Sequence, residues 1–202
     1  MGIPKVPNNE LVQAGLRLME NNGQPLQRVA AKGRAMIYRT PDGKTVRART
    51  CNDHVLVVAA DSPDPEAKLN IEGTDSILIV MPEIPRSPGP VMAYFIPTPV
   101  VVEAVRSSHR EWLASNPSTN GENRTWAIWF DEEGPARSNG YAQKWAAFRL
   151  NGSANAKISL ESRADSLMGG AANLGEVIAE AKRRIATVAG VPETAVKITL
   201  DV

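Results

Sequence analysis

The segment Ile77-Leu78-Ile79-Val80-Met81 decides the fold class, because its apolar residues are unbroken and do not alternate with polar ones. Such a run predicts a strand that is covered on both faces or at least lies centrally in its sheet. The run Val55–Ala60 has the same character. Val91–Ile96 follows as a further strand after the proline-rich turn Pro82–Pro90. These runs predict a sheet at the centre of the molecule.

A β-hairpin precedes these strands, and helical periodicity surrounds them. The hairpin joins Val29–Thr40 to Thr45–Thr50 through the tight reversal Pro41-Asp42-Gly43-Lys44. A first helix is predicted from Asn9 to Asn22 and a second over Thr98–Ser115, where the threonine can cap and the proline after it suits the first turn. The predicted fold is α+β, with a central mixed β-sheet flanked by helices.

Aromatic residues are expected in the core. Tyr141, Trp145 and Phe148 recur at i, i+4 and i+7 and predict a third helix with one buried aromatic face. The second helix is expected to pack across the sheet with Trp112 among its buried residues, so that Trp112→Ala would cost about 3–5 kcal/mol. His109 lies on the same face and is expected to be a hydrogen-bonded, semi-buried histidine rather than a catalyst.

The C-terminal residues form a pattern of their own. Lys157–Leu160 is strand-like, Leu174–Ala189 has one apolar helical face, and Val196–Val202 alternates perfectly. This predicts a small β-α-β unit at 157–202 beside a core domain at 1–150. Because so few residues bury little surface, the unit is expected to dock on the core or on a second copy, which would make a homodimer.

The composition excludes several classes of protein and site. The chain has 202 residues and a net charge of +1, which gives no whole-molecule argument for a nucleic-acid or membrane partner. Cys51 is the only cysteine, so an intramolecular disulfide and a cysteine-based zinc site are excluded. No stretch is apolar enough to span a bilayer, and Met1–Pro7 lacks the features of a signal peptide. We therefore expect a cytoplasmic protein without a membrane partner.

The near-neutral total conceals two segments of opposite charge. Between Gln27 and Thr50 seven lysines and arginines accompany a single acid, Asp42, whereas Cys51–Asp75 contains six acids and one lysine. Arginine forks onto phosphate, and basic residues bind nucleic acid by releasing counterions. The predicted nucleic-acid-binding residues are Arg34, Arg39, Lys44, Arg47 and Arg49. The alternative is that the two segments pair with each other across the sheet.

The acidic segment offers a catalytic interpretation as well. Pro63-Asp64-Pro65-Glu66-Ala67-Lys68 contains the letters of a nuclease motif in which carboxylates hold a divalent metal and a lysine lies near the attacking water. In that alternative Asp53, Glu66 and Lys68 are catalytic, and Asp53, Glu66 and Asp75 bind Mg²⁺. The simpler interpretation is a solvated loop, because the segment has two prolines and no strand signal.

The segments Asp75–Val80, Tyr94–Pro97, Val100–Leu113 and Tyr141–Trp145 follow one another in the chain, and the third ends in His109-Arg110-Glu111-Trp112-Leu113. In this order they resemble a branch of the PD-(D/E)XK nuclease superfamily over about residues 34–150, which implies a restriction-endonuclease-like core. In the superfamily the catalytic triplet lies on the strand before a connecting segment, by order Thr45–Thr50 here. That position contains Arg47-Ala48-Arg49, and arginine cannot ligate a metal.

These features predict a nucleic-acid-binding protein on a nuclease-like scaffold, with DNA as the expected partner, no cleavage activity and no cofactor. The first alternative is a metal-dependent DNA endonuclease that uses Mg²⁺. The second is a protein-interaction or inhibitor module whose segregated charges serve a protein partner.

Overall fold

A computed structural model describes residues 5–29, 35–116, 122–132, 140–152, 154–156, 182 and 193–195. The chain divides into two compact units, Met1–Ile158 and Ser159–Val202. The predicted β-α-β unit at 157–202, and the homodimer contact expected through it, fall outside the described residues except for Lys182 and the short 3-10 turn Glu193–Ala195.

The described part of the first unit contains three α-helices and eight strands. Helix α1 spans Asn8–Asn21, α2 spans Thr98–Ser115, and α3 is the single turn Tyr141–Lys144. The strands are β1 (Gln27–Val29), β2 (Ile37–Arg39), β3 (Thr45–Thr50), β4 (Val55–Ala59), β5 (Ser76–Pro82), β6 (Gly89–Pro97), β7 (Thr125–Trp129) and β8 (Asn155–Ala156). None of the described helices is both long and apolar enough to cross a membrane.

Two sheets form the framework. The larger has the strand order β1-β2-β3-β5-β6-β8, in which β3 and β5 are parallel and the other neighbours are antiparallel. Strands β4 and β7 pair with each other as a separate antiparallel sheet. The predicted α+β class with a mixed sheet is confirmed, and the predicted hairpin corresponds to β2 and β3.

Strand β5 is buried on both faces, as its unbroken apolar run predicted. Leu78 and Val80 pack with α1 on one side of the large sheet. Ile77, Ile79 and Met81 pack on the other side with residues of β4, β7 and α2. The large sheet therefore separates two hydrophobic clusters.

Strand β4 differs from the prediction. Leu56 and Val58 are fully buried, but Val57, which alternates with them, is 42% exposed. The prediction that Val55–Ala60 is covered on both faces or central is wrong, because β4 lies in a two-stranded sheet and packs on the core through one face only. A continuous apolar run can therefore form a strand that has one apolar face exposed to solvent.

Two segments whose sequences are typical of loops take part in the packing. Asp61–Asp75 forms turns, yet Leu69 and Ile71 within it are fully buried. The small polar residues at 151–156, which are typical of a linker, end in β8, which pairs with β6. Neither segment has the periodicity that would have revealed its burial, because each contributes only isolated residues to the core.

Helix α2 buries only part of the face that was predicted to pack on the sheet. Val101, Val105 and His109 are buried, whereas Trp112 is only partly buried. His109 stacks on Trp126 of β7, with ring centroids 4.0 Å apart. The large cost of Trp112→Ala was expected only if this ring is buried in the core, and that condition is not met; Trp126, which is 2% exposed, is the tryptophan that fills this part of the core.

The aromatic residues of the third predicted helix lie in the core as expected. Tyr141 and Trp145 are buried with ring centroids 4.8 Å apart, and Phe148 packs against the same cluster. The helix itself is shorter than predicted, because a 3-10 turn at Ala146–Phe148 replaces its second half.

Candidate functional site

Strand pairing places three arginines on one face of the large sheet. Burial alternates along β3, with Val46 and Ala48 against α1, so Arg47 and Arg49 point to the opposite side. Arg39 of β2 shares this side through the antiparallel register of β2 and β3. We call Arg39, Arg47 and Arg49 the arginine face.

Two of these arginines are held by backbone carbonyls. Arg47 Nη1 donates to the carbonyl of Asn70, and Arg49 Nη2 donates to that of Val57 at 2.5 Å. A guanidinium has five N–H donors, so these bonds position the side chains and leave donors for a ligand. Arg39 is exposed, and its side chain forms no hydrogen bond or ion pair with any described residue.

The positive charge of the arginine face is not compensated by acids in the part of the chain that the structure describes. No ion pair there joins Arg39, Arg47 or Arg49 to a carboxylate. Burial, and after it the charge of Arg49, lowers the pKa of Arg47, yet an arginine stays protonated in a protein. Like charges held side by side favour an anion with several negative charges.

The acids of Cys51–Asp75 form their ion pairs elsewhere. Glu66 pairs with Arg110 of α2 at 3.1 Å, and Glu66 and Glu72 pair with Arg106 at 3.6 and 3.2 Å. Among the described residues, no ion pair joins the basic hairpin to the acidic segment. Sequence reasoning missed Arg106 and Arg110, although their spacing of four residues on a predicted helix indicates a shared face.

Two of the predicted phosphate-binding residues are not placed on the arginine face. Lys44 lies in the turn between β2 and β3 and pairs with Asp42 at 2.9 Å. Thr40 Oγ1 also donates to Asp42, and this hydrogen bond, followed by Lys44, lowers the pKa of the Asp42 carboxyl. Arg34 falls outside the described residues.

Two carboxylates of the catalytic alternative are engaged by different groups. Asp53 pairs with Lys5 at 3.1 Å and with Arg86, whose hydrogen bond is the main cause that lowers the pKa of Asp53. Asp75 accepts from the backbone N–H and from Oγ1 of Thr45, both at 2.7 Å, and these bonds lower the pKa of Asp75. Both carboxylates are thus stabilised in their ionised form by neighbouring protein groups.

The remaining residues of that alternative do not join them. Glu66 is held by the arginines of α2, and Lys68 donates its backbone N–H to Asp61 at 3.0 Å. Within the described ranges, no three histidine, cysteine, aspartate or glutamate side chains are grouped so that they could hold a metal ion. The structure therefore does not bring Asp53, Glu66 and Asp75 together, and the Mg²⁺ site stays a prediction.

His109 makes the stability of this region depend on pH. It is 3% exposed and stacked with Trp112 and Trp126, and burial lowers its pKa. Because the folded-state pKa lies below the unfolded value of about 6.5, the unfolded chain takes up this proton first as pH falls. We expect the contribution to stability to be complete above about pH 6.5 and to be lost as pH falls from there through the folded-state pKa.

Urea unfolding between about pH 8 and pH 5 measures this effect. His109→Gln removes the titrating group, so its free energy of unfolding should vary less steeply with pH than that of the wild type. Equal slopes for the two proteins over this range would show that His109 is not the group responsible.

Comparison with models of protein families, with curated proteins and with solved structures finds no match. We therefore infer function from the residues of this chain alone.

Proposed function

We propose that this chain binds nucleic acid by contacting its phosphates with the arginine face. The observation that carries the proposal is the shared orientation of Arg39, Arg47 and Arg49 without a carboxylate partner among the described residues. Several cations on one face create a positive potential that attracts polyanions. Nucleic acid offers a regular row of anions, and guanidinium matches the geometry of phosphate.

We also propose that the fold is a nuclease-like scaffold that does not cleave nucleic acid. The mixed sheet supports it, as does the position of Arg47-Ala48-Arg49 on β3, the strand that precedes the connecting segment to β5. In the superfamily that the sequence resembles, an acid and a lysine belong at this position. Arginine supplies no ligand for a metal, whereas it strengthens binding to phosphate.

Experiments on nucleic-acid binding and cleavage would also reveal either of two other functions. A metal-dependent endonuclease would cut plasmid DNA with Mg²⁺ or Mn²⁺, and Glu66→Ala would abolish the cutting. A protein-interaction or inhibitor module would bind no nucleic acid. No contact among the described residues favours either of them over phosphate binding.

The proposal is tested with Arg47→Ala/Arg49→Ala and a control that removes the same charge elsewhere. In the control, Arg17→Ala/Arg110→Ala, both residues are exposed and lie on α1 and α2. We expect the first variant to bind labelled DNA about tenfold or more weakly than the wild type, because a hydrogen bond to a charged group contributes about 1.5 kcal/mol or more. The control variant should bind much as the wild type does.

Arg39→Ala separates binding from folding. The Arg39 side chain has no partner among the described residues, so its loss should leave the melting temperature unchanged and still weaken binding. Wild-type affinity in both Arg39→Ala and Arg47→Ala/Arg49→Ala would refute the proposed function.

A further inference from the structure

We propose that the nucleic acid is bound as a single strand, with its phosphates on the arginine face and a base stacked on Trp129 of the adjacent two-stranded sheet. This inference rests on the proposed function and adds the class of nucleic acid and the residue that would select it. The inference involves the face of the β4–β7 sheet that points away from the core, called its outer face, which phosphate binding alone does not require.

The outer face of this sheet is apolar and partly exposed. Trp126 and Ile128 of β7 point into the core, so Trp129 points the other way, and it is partly exposed. Val55 lies opposite Trp129 in the register, and Val57, on the same face, is 42% exposed. No aromatic ring of the described residues stacks on Trp129.

Arg49 of the arginine face contacts β4, the strand that also carries Val55 and Val57 of this outer face. Arg49 donates to the carbonyl of Val57, so its guanidinium contacts the edge of the strand whose side chains form the outer face. Trp129 is on the strand next to β4. The even-numbered residues of β4 bond to β7, so the carbonyl of Val57 faces the opposite edge of β4. Arg49 therefore lies at one edge of β4 and Trp129 on the strand beyond the other edge, and a ligand that contacts both would cross the apolar outer face of β4.

The chemistry of the two surfaces together favours a single strand. Alternate residues of a strand lie about 6.7 Å apart, which is close to the separation of successive phosphates along one nucleic-acid chain. Arg47 and Arg49 could thus contact successive phosphates of one chain, in a single strand or in a duplex, so the choice between them rests on Trp129. An indole stacks on the flat face of any base, and such faces are available in a single strand but lie inside the stack of a duplex.

Charge complementarity and the contact of Arg49 with the Val57 carbonyl favour one occupant of the outer face over another. A protein partner would bury Val55, Val57 and Trp129 without requiring the neighbouring arginines. A single-stranded nucleic acid uses both the cations and the aromatic ring, which is the combination that proteins binding single strands employ.

Binding of an oligothymidine of about 12 nucleotides and of a duplex of the same length tests the inference, since single-strand sites span about 4–16 nucleotides. Trp129→Ala should weaken binding of the single strand about tenfold and change binding of the duplex little. Trp112→Ala is the matched control, because Trp112 is a partly buried tryptophan on α2, and it should leave both affinities unchanged.

Tryptophan fluorescence gives a readout that does not depend on the stability of an alanine variant. A base stacked on Trp129 should quench part of the emission when oligothymidine is added. Trp129→Phe should lose that part of the quenching, whereas Trp112→Phe should retain it.

The two proposals fail in different ways. If Arg47→Ala/Arg49→Ala weakens binding but Trp129→Ala leaves single-strand affinity unchanged, the stacking inference is overturned and phosphate binding stands. Equal losses for single strand and duplex in Trp129→Ala would also overturn it. If Arg39→Ala and Arg47→Ala/Arg49→Ala both bind as the wild type does, the proposed function itself fails.

Discussion

Trp126→Ala is expected to lower the free energy of unfolding by about 3–5 kcal/mol, which is a large part of the total stability of a typical domain. The side chain is 2% exposed and joins β7 to α2 through the stacked ring of His109. Its Nε1 donates to the carbonyl of Asn123 at 2.9 Å, so the variant loses a hydrogen bond as well as packing. The resulting cavity has rigid walls, because Leu56 and Val58 of β4 belong to the same buried cluster.

Trp112→Ala is the control for this prediction. Trp112 is the same residue type in the neighbouring helix and is only partly buried, so its removal should cost clearly less than that of Trp126. Guanidinium unfolding of both variants measures the difference. A loss for Trp112→Ala as large as that for Trp126→Ala would contradict the packing described for α2 and β7.

Gly15→Ala is expected to destabilise the protein by about 1–2 kcal/mol, although alanine is the better helix former by about 1 kcal/mol. Gly15 lies in α1 where the helix contacts β5, and an added Cβ would overlap Val80 Cγ2. Valine has a stiff χ1 angle and Val80 is fully buried, so the overlap can be relieved only by moving α1 or β5. The packing cost therefore exceeds the gain in helix propensity.

A double-mutant cycle with Val80→Ala tests the cause of that loss. Val80→Ala removes the atom that the new Cβ would overlap, and Leu78 Cδ2, the other close neighbour, lies at an ordinary distance of 3.5 Å. In this background Gly15→Ala should stabilise the protein by about 1 kcal/mol through helix propensity. A destabilising effect of the same size in both backgrounds would show that the close approach of α1 to β5 is not the reason.

The elements that the sequence predicted best are those whose pattern is local. The run Ile77–Met81 identified a strand covered on both sides, and periodicity with a Thr-Pro start located α2 at Thr98–Ser115. What could not be predicted depends on neighbours that are distant in the chain. The run Val55–Ala60 looks the same as Ile77–Met81, and only its pairing with β7 leaves Val57 exposed.

In the candidate site, too, only the features that depend on a local pattern could be predicted from the sequence. Once Thr45–Thr50 is recognised as a strand, its period of two places Arg47 and Arg49 on one face, as in the structure. The partners of the acids were not predictable, because Glu66 and Glu72 are paired with arginines of α2 far along the chain. Trp129 was missed because a strand of five residues with two tryptophans does not reveal which ring faces the core.

The salt dependence of nucleic-acid affinity tests the central claim most directly, because it counts phosphate contacts. Each contact contributes about 0.7 to the slope of log affinity against log salt concentration for a single strand and about 0.9 for a duplex. Arg47→Ala/Arg49→Ala should therefore flatten the slope by about 1.4 with oligothymidine and about 1.8 with a duplex, while Arg17→Ala/Arg110→Ala keeps the slope of the wild type. A slope that is the same in the wild type and in Arg47→Ala/Arg49→Ala would contradict the claim that the arginine face binds phosphate.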